Sequence, residues 1–131
     1  RDLHLSIRRQ RQMCIRDNIK AFKRLQEMVD TVFLTLGSNG SLVGKRGLEP
    51  IEVKTFPVKA VDATGAGDLF AAGALYGVLG NYSQEESAII GSYCAAKVES
   101  HMGGRLPVHS HTDAGKILLE YTKLYSNGGA Q

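Results

Sequence analysis

Residues 61–73 read Val61-Asp62-Ala63-Thr64-Gly65-Ala66-Gly67-Asp68-Leu69-Phe70-Ala71-Ala72-Gly73. Two glycines flanking an alanine suit neither a strand nor the interior of a helix. The small, apolar run that follows, as far as Leu79, has helical character, so the glycines fall at a turn entering a helix. The amides of Gly65, Ala66 and Gly67 then gather at the positive end of the helix dipole, a place that attracts anions. Asp68 stands beside them. A carboxylate there repels a phosphate unless it has another task, such as accepting the proton of a hydroxyl that attacks phosphorus.

Outward from this stretch the chain alternates between periods. Residues 18–30 place Ile19, Phe22, Leu25 and Met28 or Val29 at helical spacing. Thr31 to Leu36 is a short β-rich run with the look of a buried strand. Gly37-Ser38-Asn39-Gly40 is turn chemistry, and Ser41 to Gly44 reads as the returning strand. Ile51 to Phe56 alternates apolar and polar residues until Pro57 ends it. After the glycine turn, a helix is expected from about Ala66 to Leu79, stopped by Gly80-Asn81. Ser83 and Glu86 have the spacing of a capping box for a helix running to about Ser100. A last helix begins near Thr112, its expected cap, with Ile117, Leu118, Tyr121 and Leu124 or Tyr125 on one face. Helix, strand, strand, strand, helix, helix, helix suits an α/β sheet with helices packed on it.

The amino-terminal end has a different character. Arg1 to Asp17 reads RDLHLSIRRQRQMCIRD. One permitted back-translation of every codon through Asp17 resembles a transposase-type sequencing adapter read in frame, and the likeness stops at Asn18. The segment 1–17 is therefore expected to be non-native and stays outside the fold argument, leaving 18–131 as the part that folds. The alternative is a natural basic helix or arm.

Removing that segment changes the charge argument. The chain has 16 basic and 13 acidic residues, and five Arg and two Asp lie in residues 1–17. The remainder holds 11 of each sign and is neutral, so the basic balance gives no argument for nucleic acid or an anionic membrane as partner. Of the two cysteines, Cys14 lies in that segment, and Cys94 sits in an apolar helix as a packing residue would. No apolar run reaches membrane-spanning length and no signal peptide is visible, so a cytoplasmic, soluble protein is expected.

Two familiar phosphate loops fail on spacing. Gly40 to Gly44-Lys45 has three residues between its glycines and Arg46 where a Walker loop needs Ser or Thr. Gly65 and Gly67 are followed by Phe70 where a dinucleotide fingerprint needs a third glycine. His101, His109 and His111 lack a surrounding carboxylate or Cys pattern, which argues against a metal centre. Lys45, Arg46 and Arg105 suit solvated positions.

What Asp62-Ala63-Thr64-Gly65-Ala66-Gly67-Asp68 with its small-residue helix does resemble is the signature of the ribokinase-like, or PfkB-type, carbohydrate kinases, with Ala63 where Thr is common. Thr35-Leu36-Gly37-Ser38-Asn39-Gly40 resembles that family's strand and G-x-x-G turn against the nucleotide phosphates. Ala95-Ala96-Lys97-Val98 with Gly103-Gly104-Arg105-Leu106-Pro107 resembles its adenine-side helix and following loop. The likeness spans roughly residues 18–125, and the stretch from Gly91 to Pro107 looks most like adenosine kinase-like members.

The resemblance implies the carboxy-terminal portion of a three-layer α/β/α fold, and ATP with Mg2+ as cofactors. Gly65, Ala66 and Gly67 become the anion hole for the transferring phosphoryl group. Asp68 becomes the catalytic group that orients the acceptor hydroxyl and takes its proton. A carboxylate is a weak base at neutral pH, so its placement matters most. Thr35, Gly37, Gly40 and Ala95 are implied to bind the nucleotide. Asp62 and Thr64 match positions that help bind a K+-like cation in several members; turn capping accounts for them equally well.

Members are considerably longer, and the acceptor-binding residues, the lid and a magnesium-organising N-x-x-E stretch have no counterpart here. The chain is thus expected to fold marginally, with an uncovered sheet edge. Two readings follow. One is an ATP-dependent kinase of a nucleoside or sugar, adenosine kinase-like or of the ribokinase and fructokinase type, represented by a fragment that does not turn over alone. The other is a nucleotide- or anion-binding module without chemistry. Asp68 separates them, because a pure binding module has no use for a carboxylate beside a phosphate nest.

Overall fold

The computed structural model describes residues 17–59, 61–100 and 113–126. The elements are α1 (residues 17–28), β1 (Thr31–Thr35), a 3-10 turn (Gly37–Asn39), β2 (Ser41–Lys45), β3 (Ile51–Val53), α2 (Ala66–Leu79), α3 (Gln84–Glu99) and α4 (Ala114–Tyr125). The expected order and type of elements are all present. Of the segment 1–17, only Asp17 lies within the described residues, as the first residue described in α1.

β2 lies between β1 and β3 and runs antiparallel to both. Phe33 stands opposite Val43, and Leu42 opposite both Leu34 and Glu52. The apolar runs of β1 and β2 are explained by helices on both faces. Val32 and Leu42 pack with Phe22 of α1 on one side of the sheet. Val43 and Val53 join Phe70 and Ala74 of α2, Ala88, Ile89, Ile90 and Ala96 of α3, and Ala114 and Ile117 of α4 on the other. Successive strand residues point to opposite faces, so each one-residue step changes layers. The result is three layers, α/β/α.

Three local expectations are corrected. Leu25 and Met28 are exposed, and Gln26 is buried in their stead. Its Nε2 donates to the carbonyls of Lys45 (2.6 Å) and Leu48 (3.0 Å), so α1 turns an amide toward the connection between β2 and β3. A partly buried backbone carbonyl gains a donor there, and the buried amide finds its partners. β3 ends at Val53, not Phe56, and residues 54–56 leave the ladder. The α4 cap is Asp113, whose Oδ1 accepts from the Lys116 N–H at 2.8 Å; Thr112 lies outside the described residues.

α2 and α3 approach through small residues. Phe70, Gly73, Ala74 and Gly77 form the buried stripe of α2 at i, i+3, i+4 and i+7. A Cβ on Gly73 would stand 2.8 Å from Gly91 Cα, and one on Gly91 would stand 2.7 Å from the Phe70 carbonyl oxygen. The turn between the helices uses Asn81 at φ 65°, with Gly80 as the C-cap at φ −85°. The capping box of α3 is formed: Glu86 N–H donates to Ser83 Oγ (3.1 Å), and Ser83 N–H donates to Glu86 Oε1 (2.9 Å). Among the described residues the second edge of β1 pairs with no strand, and Leu75, Tyr76, Val78 and Leu79 of α2 are exposed.

Candidate functional site

The glycine turn is held at both ends. The Val61 and Asp62 N–H groups both donate to the Glu99 carbonyl at the end of α3, at 2.7 and 3.1 Å. Asp62 Oδ1 then accepts from Thr64 N–H (2.9 Å) and Thr64 Oγ1 (2.6 Å). These bonds make the Asp-Thr turn a structural feature, since they fix the chain two residues before the helix begins. Gly65 is the N-cap, at φ 79° and ψ 1°. An L side chain in that left-handed conformation costs about 1–2 kcal/mol, so Gly65 is set by backbone geometry.

The next three amides divide. Ala66 N–H donates to the Ala63 carbonyl at 3.2 Å, closing the turn. Gly67 and Asp68 N–H, inside the first helical turn, find no acceptor among the described residues; the first α-helical bond here is Leu69 N–H to the Gly65 carbonyl, at 3.0 Å. Two amides are therefore unspent at the positive end of a 14-residue helix. A Cβ added to Gly67 would meet nothing within 4 Å, and its φ is not positive. Neither packing nor conformation requires glycine at this position. Asp68 is exposed, on the first turn of α2.

A cavity of about 330 Å³ opens beside this turn. It brings together Thr35, Gly37, Gly40, Ala66, Gly67 and Ala95, six of the positions singled out by sequence, from three separate segments. Gly65, Asp62, Thr64 and Asp68 do not line it. Gly40 has a reason of its own to be glycine: at φ 91°, its Cβ would stand 2.2 Å from the Val53 carbonyl oxygen. Gly37, at φ 59°, is required by conformation and faces open space. The 3-10 turn between them closes through Leu36 N–H to the Gly40 carbonyl (2.8 Å) and Gly40 N–H to the Gly37 carbonyl (3.2 Å).

Sequence reasoning missed one wall of the cavity and part of another. Ser92, Ala96 and Glu99 accompany Ala95 as one stripe of α3 at i, i+3, i+4 and i+7. That spacing was readable once Ala95 was chosen. Thr55, Phe56, Pro57 and Val58 form the other wall; the expected strand ran to Phe56 with Pro57 as its stop, and the departure of Thr55 and Phe56 from the ladder brings them here. Thr35, Gly67 and Phe70 also border a second, more apolar groove between β1 and α2, with Phe33, Ala74 and Leu75. Among the described residues no three His, Cys, Asp or Glu side chains converge to hold a metal ion. Also among them, no helix is long and apolar enough to cross a membrane. His101, His109, His111 and the stretch Gly103 to Pro107 lie outside the described residues.

An α/β/α layering with a glycine-turned helix start beside a cavity, two of its first amides open, has the geometry at which anions are attracted. Residues 9–111 match the model of the pfkB family carbohydrate kinases, and the chain belongs to that family. It is 42% identical over 86 residues to an uncharacterized sugar kinase of Archaeoglobus fulgidus, a match covering 65% of this chain and 34% of that protein. The adenosine kinase from Sinorhizobium meliloti superposes with a TM-score of 0.65 at 32% identity, over 77% of this chain and 30% of that one. The Arabidopsis thaliana ribokinase, solved with ribose and ATP, superposes with a TM-score of 0.58 at 30% identity, over 71% and 29% respectively. The fold is thus part of a ribokinase-like fold, and the chain spans about a third of the length of the relatives it matches.

Proposed function

We propose that this chain is the nucleotide-side part of a kinase that transfers the γ-phosphoryl group of ATP to a hydroxyl of a nucleoside or sugar, with adenosine the favoured acceptor. The observation that carries this reading is Gly67. Its glycine is explained by neither φ nor packing, it lines the cavity, and its amide is unspent. A phosphate oxygen lying against the backbone at that point explains all three.

In this reading the cavity takes the nucleotide, with Thr35, Gly37 and Gly40 on one side and Ala95 on the other. The small residues Gly37, Gly40, Ala95 and Ala96 leave room for a flat purine. The Gly67 and Asp68 amides, at the helix start, hold the transferring phosphoryl oxygens as their charge rises. Gly65 sets the turn, and Ala66, whose N–H is engaged with Ala63, contributes position more than a donor. Asp68 orients the acceptor hydroxyl and takes its proton. Asp62 and Thr64 hold the turn; dependence of turnover on K+ would give them a second role. The Mg2+ that the family resemblance implies meets no carboxylate cluster among the described residues. In this reading the chain's own share in transfer is through the Gly67 and Asp68 amides and the Asp68 carboxylate.

A sugar acceptor is the second reading, and the identity to the Archaeoglobus sugar kinase favours it. The test joins the chain to its natural upstream sequence and measures ADP formation with adenosine and with ribose, for wild type and for Asp68→Asn. The wild type turns over adenosine faster than ribose. Asp68→Asn keeps the shape and removes the proton acceptor, lowering kcat by about 10²- to 10⁴-fold. Wild-type turnover by that variant would remove Asp68 from the mechanism.

A further inference from the structure

The wall of the cavity at residues 55–58 has no strand beside it among the described residues. β3 leaves its ladder at the Ser41–Val53 pair, and the chain from Lys54 to Val58 is neither strand nor helix. Its backbone is held from another direction. Lys54 N–H donates to the hydroxyl of Tyr121 at 3.0 Å, and the hydroxyl of Tyr125 donates to the Thr55 carbonyl. Both tyrosines belong to α4, one turn apart, and neither lines the cavity.

Aromatic contacts extend the same hold. Phe56, which lines the cavity, meets Tyr93 edge-on at 5.4 Å between ring centres and Tyr121 at 5.8 Å. Tyr121 and Tyr125 lie 4.8 Å apart, and the Lys54 ammonium sits 5.1 Å above the Tyr125 ring. A segment without a ladder keeps its shape through whatever satisfies its backbone groups. Here side-chain hydroxyls do the work of a neighbouring strand.

We propose that Tyr121 and Tyr125 are positioning residues for nucleotide binding, their hydroxyls holding the Lys54–Thr55 backbone so that Phe56 and Val58 face the bound base. The inference rests on the ATP reading of the cavity. It adds residues nearly 70 positions away in sequence, as the separations of 67 and 70 for the two hydrogen bonds record. The phenylalanine variants delete one oxygen each and keep the rings, so the core under α4 stays filled.

The test uses the whole chain with a fluorescent N-methylanthraniloyl-ATP as probe, together with amide hydrogen exchange. Y121F and Y125F each weaken probe binding by about three- to tenfold, the range of one neutral hydrogen bond. Amide exchange at Lys54, whose N–H the Tyr121 hydroxyl accepts, quickens in Y121F, while the amides of α2 and α3 keep their wild-type protection in both variants. Unchanged binding in both variants, with the wild type binding, overturns the positioning role and leaves the ATP reading standing. Loss of protection in α2 and α3 together with loss of binding also overturns it, because the tyrosines would then be acting on the fold as a whole. A wild-type chain that fails to bind the probe overturns the ATP reading itself, and the inference with it.

Discussion

A Cβ placed on Gly77 would stand 2.5 Å from the hydroxyl oxygen of Ser87 and 2.7 Å from its Cα. The two helices that carry the glycine turn and the opposite cavity wall therefore touch backbone to backbone. Gly77→Ala has no room: Ser87 is fully buried, and its Cα belongs to a helix that cannot move alone. The expected cost is about 1–3 kcal/mol, as for other overpacked contacts. Urea denaturation followed by circular dichroism measures it; a midpoint equal to wild type would mean that α2 and α3 sit farther apart.

Gly67→Ala is expected to behave in the opposite way. The new methyl meets nothing within 4 Å, and alanine is a better helix former than glycine by up to about 1 kcal/mol. The denaturation midpoint is unchanged or slightly higher. Binding of ATP nevertheless falls at least about tenfold, because the methyl occupies the approach to two unspent amides. Titration with the fluorescent nucleotide beside the same urea series separates the two effects. A variant that binds like wild type would show that the glycine serves nothing in ligand contact.

That contrast shows what the sequence could and could not disclose. The turn and helix around Gly65 to Leu79 were legible because each signal was local: glycines, then small residues, then Gly80-Asn81. Ser83 and Glu86 announced their capping box for the same reason. Gly40 and Gly67 looked alike as phosphate-loop glycines, yet Gly40 is glycine because Val53 crosses it. That crossing is a tertiary fact, written nowhere near Gly40. Gln26 was passed over because burial of a polar side chain depends on carbonyls about 20 residues away. Lys54 to Phe56 kept a strand pattern without a partner, and two hydroxyls of α4 satisfy the Lys54 and Thr55 backbone instead. Sequence pattern reports what a residue prefers; the cavity walls depend on what other segments leave unsatisfied.

The capping box supplies a prediction confined to α3. Ser83→Ala leaves Glu86 N–H without its side-chain acceptor at the helix start. The expected loss is about 1 kcal/mol, and Ser83→Asp restores most of it by offering another acceptor near the helix dipole. Thermal melts of the two variants check the stability; equal melting of Ser83→Ala and wild type would place α3's stability wholly in its packing.

Cys94 gives a chemical check on the same helix. Burial pushes its thiol above the ordinary cysteine value, with no charged partner opposing the shift. The thiolate is the reactive form, so alkylation is slowed. In a Cys14→Ser background, iodoacetamide at pH 8 is expected to modify Cys94 several times more slowly than a free cysteine, with the rate recovering in urea. Modification as fast in buffer as in urea would contradict the burial between α2 and α3.

The tyrosines of α4 make stability depend on alkaline pH. Burial raises the Tyr121 hydroxyl above its usual value, partly offset by the Lys54 N–H it accepts, and burial raises Tyr125 as well. A hydroxyl whose folded value exceeds its unfolded value of about 10 loses its proton more readily once unfolded. Its contribution is fully present below about pH 10 and is lost as pH rises through the folded values. Deprotonation also removes the Tyr125 donor to the Thr55 carbonyl and places a charge beside the aromatic cluster. The comparison that isolates the effect is between wild type and the double variant Tyr121→Phe, Tyr125→Phe. Unfolding free energies from urea titrations between about pH 8 and pH 11.5 should fall more steeply for wild type, with the two curves converging toward high pH. Parallel curves would mean that the two hydroxyls are as free in the folded chain as in the unfolded one.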